Sequence, residues 1–143
     1  MFLGEFKHQA DEKNRLRVPA KLKKQLGKNY IITKGTNGSL FLFTKEGMEK
    51  HLLSKFEGVS LFDLEKQKAI RAILSSSFEV EEDKQGRFLL PKALRVFANI
   101  KKNVYFIGVG SHMEIWNASS WEKYLTEEVE DFDKLLGGLK NGV

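Results

Sequence analysis

Two arginines stand at matched places in this chain: Arg15 in "DEKNRLRVP" (residues 11–19) and Arg87 in "DKQGRFLLP" (residues 83–91). Each follows an aspartate by four positions and precedes a proline by four. A guanidinium is a rigid fork of donors that matches carboxylates, phosphates and the guanine edge. The upstream aspartate offers that fork a partner within the chain, which would make D-x-x-x-R a staple across a turn. Phosphate repels carboxylate, so Asp11 and Asp83 read as staples that accept turn N–H groups or hold the arginine. Arg15 and Arg17 read as recognition residues.

The elements that must position these arginines repeat with them. At an offset of 72, Phe6 matches Phe78, Pro19 matches Pro91 and Leu22 matches Leu94. Asn14 matches Gly86, the two residue types that best tolerate positive φ. Each half therefore predicts a strand, a tight turn ending in a left-handed residue, and a strand returning along the first. Pro19 and Pro91 suit the first position of a helix. Those helices, "PAKLKKQL" and "PKALRVFA", run into Gly27 and Asn99, again suited to ending a helix. The β-rich runs "NYIITKG" with "SLFLFT", and "NVYFIGVG" with "HMEIWN", follow, and a further helix starts near Lys45 and near Ala118. The order is ββαββα, twice. Between the copies, helical apolar spacing at Leu61, Leu64, Ala69, Ile73 and Leu74 predicts a connecting helix. The expected division is 1–60 for the first unit, 61–76 for the connector, and 77–143 for the second unit with its C-terminal helix.

Composition narrows the chemistry. The absence of cysteine among 143 residues removes disulfides, thiolate metal sites and cysteine nucleophiles. His8, His51 and His112 stand singly, without metal-ligand spacing, and read as surface or packing residues. "GVGSH" (108–112) lacks the third glycine of a dinucleotide fingerprint and reads as a hairpin turn. "SSS" (75–77) reads as a helix end, and the acidic "EVEED" (79–83) as a solvated face or a partner for basic residues. No nucleophile, base and oxyanion hole assemble, so the reading is not an enzyme, and no cofactor is implied. The start "MFLGEFKHQADEK" has no apolar h-region, and the longest apolar run, "LFLF", falls far short of the ~20 residues of a membrane span. A cytoplasmic protein with no membrane partner is expected.

Charge is unevenly distributed. Residues 1–34 carry nine Lys/Arg against three Asp/Glu, while residues 111–143 carry three against seven. The basic end is either a polyanion-facing surface or a solvated face. Alternation along a strand puts Leu16 and Val18 on one face, and likewise Phe88 and Leu90; these are the core faces. The other face carries Arg15 and Arg17 in the first copy, but Arg87 and Leu89 in the second. On the preceding strand, Lys7 and Gln9 correspond to Glu79 and Glu81. A basic two-stranded ribbon fits the major groove of DNA. Lys7, Lys13, Arg15 and Arg17 would lie on or beside its tip, with Lys21, Lys23, Lys24 and Lys28 on the adjoining helix facing phosphates. Few such contacts come from one chain, so a specific site would need several copies of it.

Two D-x-x-x-R-x-x-x-P motifs in register, within "DEKNRLRVPAKL" and "DKQGRFLLPKAL", together with the start "MFLGEF" and the element order, resemble the MraZ family over essentially the whole chain. The resemblance implies an α+β fold: two tandem swapped-hairpin units of the AbrB/SpoVT type, packed as one β-barrel-like domain with flanking helices. It also implies a nucleoid-associated bacterial transcriptional regulator that binds double-stranded DNA. Its sites would be short, closely spaced repeats upstream of the division and cell-wall gene cluster, bound by ring-like homo-oligomers. Family members commonly carry Gly before both motif arginines; Asn14 keeps the same backbone tolerance. Arg15 and Arg87 inherit the motif positions, and the first copy is the one set against DNA. In a ring, the basic half of one protomer could instead meet the acidic half of the next, with Lys7 opposite Glu79 or Glu81. An antitoxin-like or scaffold-type interaction module, using the same fold without reading bases, is the alternative function.

Overall fold

A computed structural model describes residues 1–141. The first half runs β1 (Glu5–Gln9), β2 (Arg15–Arg17), α1 (Ala20–Leu26), β3 (Tyr30–Lys34), β4 (Leu40–Thr44) and α2 (Lys45–His51). A single 3-10 turn (Leu53–Phe56) and α3 (Leu64–Ser75) lead to the second half. There follow β5 (Phe78–Val80), β6 (Arg87–Leu89), α4 (Lys92–Phe97), β7 (Asn103–Gly108), β8 (Met113–Asn117), α5 (Ala118–Glu128) and α6 (Phe132–Asn141). The expected order of elements is observed. Pro19 and Pro91 sit one position earlier than expected, as caps: the Pro19 carbonyl accepts from Leu22 and Lys23, and the Pro91 carbonyl from Leu94 and Arg95. Asn14, Gly86, Gly27 and Asn99 all hold positive φ, between 51° and 78°. Thr44 and Asn117 cap α2 and α5 by accepting a side-chain hydrogen bond from the third residue on.

The pairing of strands departs from a simple hairpin in each half. The turns do close, with Asp11 N–H donating to the Arg15 carbonyl and Asp83 N–H to that of Arg87. Beyond them the strands part, after one further bridge, Glu82 to Phe88, in the second half. β1 pairs with β7 of the other half, β5 pairs with β3, and β2 pairs with β6. Six strands form one antiparallel sheet in the order β1-β7-β8-β4-β3-β5, while β2 and β6 make a separate ribbon. The sheet stays open at β1 and β5, so the barrel-like closure expected from the sequence is corrected: no closed barrel forms among the described strands. The physical reason is that β2 and β6 hydrogen-bond to each other and leave both sheet edges unjoined.

One core serves both halves. Leu16 and Phe88 face each other on the underside of the ribbon, each 1% exposed. They pack with Tyr30, Ile32, Leu40, Leu42, Val104, Phe106, Met113 and Ile115 of the sheet, and with Leu22, Leu26 and Leu94 of α1 and α4. Alternation in β2 and β6 thus commits one face to the core and leaves Arg15, Arg17, Arg87 and Leu89 on the other. Thr33, buried on β3, donates to the Ile73 carbonyl and meets Ser76, tying the end of α3 to the sheet.

Candidate nucleic-acid interface

The two copies of D-x-x-x-R build the same bonds. Asp11 Oδ1 accepts the N–H groups of Lys13 and Arg15, both at 2.9 Å, and its Oδ2 accepts Arg15 Nε at 2.8 Å. Asp83 Oδ1 accepts the N–H groups of Gln85 and Arg87 at 2.8 and 3.0 Å, and its Oδ2 accepts Arg87 Nε at 2.9 Å. The copies also cross-link. Arg15 Nη1 lies 3.9 Å from Asp83, and Arg87 Nη1 lies 3.8 Å from Asp11. The staple reading of both aspartates agrees with this geometry. Each carboxyl is held below the usual carboxylate range, first by the backbone N–H of its arginine, against an opposing effect of burial, and then by further hydrogen bonds and the guanidinium charge.

Those depressed values make a pH prediction. A group whose folded pKa is lowered stabilises the fold above its unfolded pKa and loses that contribution as pH falls through the folded value. The melting temperature of wild type should exceed that of Asp11→Asn/Asp83→Asn at pH 6. The gap should close on acidification below the ordinary carboxyl value of 3.8, as followed by circular dichroism across a pH series.

On the ribbon's outer face Arg15 stands opposite Leu89 and Arg17 opposite Arg87. The two stapled arginines therefore occupy one diagonal, and Arg17 and Leu89 the other. Arg15 and Arg87 are equally accessible, with side chains 27% exposed, so geometry does not separate the two motif copies. Each uses Nε–H on its own aspartate, while its Nη1 faces the other copy's aspartate at 3.9 Å (Arg15) or 3.8 Å (Arg87), beyond hydrogen-bond reach, so the Nη N–H groups can still meet other partners. The quartet sums to zero charge, and the positive field comes from its surroundings. Arg17, Lys13 and Lys84 are exposed and form no ion pair among the described residues.

The remaining sequence-selected residues divide. Lys21 and Lys24 are exposed on α1. Lys23 is drawn inward: it pairs with Glu82, donates to the Gly27 carbonyl at 2.8 Å, and sits 5.1 Å from the Tyr30 ring centroid. Tyr30 donates to Glu82 at 2.6 Å, and burial pushes its hydroxyl far above the usual phenol range, so it stays a donor. Lys7 lies over the Tyr105 ring and lines a shallow cleft with Lys101, Lys102 and Asn103. Glu79 has an intrachain partner, Lys45, at 3.4 Å. His112 is a packing residue stacked on Phe43 at 4.6 Å. A cleft of about 440 Å³ beside the ribbon is lined by His8, Arg17, Val18, Ala20, Lys23 and Gly86. Sequence reasoning missed the Tyr30–Glu82–Lys23 cluster, whose members lie up to 59 residues apart (23 to 82) with no motif linking them. It also missed that Arg17 and Arg87 are cross-strand neighbours.

Among the described residues, no group of three or more His, Asp or Glu side chains could hold a metal ion, and no helix is long and apolar enough to cross a membrane. What the fold and site define is an α+β protein with an open antiparallel sheet, beside which β2 and β6 jointly build one arginine-bearing ribbon. The family model for MraZ, described as "MraZ protein, putative antitoxin-like", matches residues 1–71 and 73–136. The chain is 38% identical to the "Transcriptional regulator MraZ" of Acetivibrio thermocellus over 90% of its own length and 89% of the relative's. It is 39% identical to the proteins of the same name from Ligilactobacillus salivarius (94% of both chains) and Leuconostoc mesenteroides (97% and 96%). The chain belongs to the MraZ family of transcriptional regulators.

Proposed function

We propose that the chain is a sequence-specific DNA-binding regulator of transcription that reads double-stranded DNA with the β2–β6 ribbon. The observation that carries this is the ribbon's outer face: two arginines stapled so that their Nη edges are pre-positioned, beside a third, unpaired one. Pre-positioned forks suit base edges, because little side-chain freedom is lost on contact. Affinity falls to the unpaired cations, Arg17 and Lys13 on the ribbon and Lys21 and Lys24 on α1, as phosphate contacts. The names of the relatives support a regulatory role. The finer reading is two swapped-hairpin units, 1–60 and 77–143, joined through 61–76. Several copies in a ring-like homo-oligomer engage short tandem repeats upstream of the division and cell-wall gene cluster, in the cytoplasm and on the nucleoid.

The test is selection of bound DNA from a random pool, followed by salt titration. A repeated motif should emerge, with affinity for it falling steeply between ~50 and ~200 mM salt. Arg17→Ala should weaken binding to all sequences alike and flatten the log–log salt slope by about one for each subunit engaged. The second reading, an antitoxin-like interaction module, draws on the neutrality of the Asp–Arg quartet and on the family description. Indifference to DNA sequence at moderate salt would favour it.

A further inference from the structure

The staple bonds of the two copies are related by the 72-residue offset, and so are the ribbon's four outward positions, yet one related pair differs in chemistry. Arg17 and Leu89 are equivalent positions and sit at opposite corners of the same face. Leu89 is 62% exposed, while its neighbours in sequence, Phe88 and Leu90, are each 1% exposed. Its side chain stands directly across from Arg15. Cross-strand neighbours lie ~5 Å apart and next-but-one residues on a strand ~7 Å apart. The four outward side chains thus cover about two base-pair steps of ~3.4 Å each. In the major groove the one apolar feature a base pair presents is the C5-methyl group of thymine.

We propose that Leu89 is a specificity-determining residue that packs against a thymine methyl group, next to the base pair addressed by Arg15. This rests on the ribbon being the DNA-reading face and extends that reading to a base class. The substitution of an apolar corner for a cationic one makes the reader asymmetric. Each element of the bound site is then non-palindromic, with a thymine fixed at the Leu89 end and no base fixed at the other end, where Arg17 contacts phosphate.

The test uses the full-length protein and its selected site, with each thymine replaced in turn by deoxyuridine, which removes only the methyl group. One thymine position per repeat should respond, wild type losing roughly fourfold in affinity per repeat for one unburied methyl. Leu89→Ala should bind the thymine and deoxyuridine sites equally, Leu89→Met should keep the preference, and salt slope and oligomer mass should stay as in wild type. Equal wild-type binding to both sites, a selected site with no fixed thymine, or a change of oligomer mass in Leu89→Ala overturns the assignment of Leu89 while leaving the ribbon as reader. Absence of any sequence preference in wild type overturns the ribbon reading, and Leu89 with it.

Discussion

Phe88→Ala is expected to destabilise the fold by about 3–5 kcal/mol, the range for truncating a fully buried phenylalanine. Phe88 is 1% exposed, lies opposite Leu16 across the ribbon, and meets the Tyr30 ring edge-on at 5.9 Å. It is the largest apolar side chain on the ribbon's underside, so its removal opens a void between the ribbon and the sheet beneath. Within the three-residue strands β2 and β6, Leu16 is the one other side chain on that underside. Urea denaturation monitored by tryptophan fluorescence measures the effect, and Leu89→Ala supplies the control. Leu89, one residue on, faces solvent, and its truncation should change stability by no more than ~0.5 kcal/mol. A register slip by one residue would exchange the two results. The contrast therefore tests the pairing of Leu16 with Phe88 independently of any DNA measurement.

Much of the fold was legible because its punctuation is local. Asn14, Gly86, Gly27 and Asn99 announce backbone conformations that few other residues adopt, and all four hold positive φ. Period-two alternation placed Leu16, Val18, Phe88 and Leu90 in the core, where each is at most 2% exposed. Strand partnership is different in kind. Nothing in "RLR" or "RFL" encodes that these segments pair with each other and not with the strands that precede them. That choice is settled by the joint burial of Leu16, Phe88, Tyr30 and Leu94 in a core to which both halves contribute. The site shares this divide. The Asp-to-Arg staple spans four residues and could be read directly, whereas the cross-links Arg15–Asp83 and Arg87–Asp11 exist only because the turns meet. The contrast between a basic first half and an acidic second half also dissolves locally: Glu79 and Glu82 have lysine partners within the chain, Lys45 and Lys23. Arg15 and Arg87 end up as equals on one face.

That equality sets the largest expected effect on binding. Arg15→Ala/Arg87→Ala should reduce affinity for the selected site by on the order of 100-fold or more, since each fork on a guanine is worth about 1–3 kcal/mol. The two single variants should cost equal amounts, each about half of the double variant's loss in free energy, because the two arginines match in exposure and in staple geometry. The loss has two parts. The forks disappear, and Asp11 and Asp83, stripped of the guanidinium groups that neutralise them, present two carboxylates to the phosphates. Adding Asp11→Asn and Asp83→Asn to the double variant should recover the second part and leave the first. Binding to non-specific DNA would then return to near the wild-type level while preference for the selected site stays lost. Asp11→Asn/Asp83→Asn on their own should loosen both arginines and lower discrimination between sites without lowering non-specific affinity. Filter binding to specific and random duplexes at one fixed salt concentration separates these terms. Full retention of site preference in Arg15→Ala/Arg87→Ala would reassign the quartet to folding alone, and DNA reading would then have to come from elsewhere on the surface.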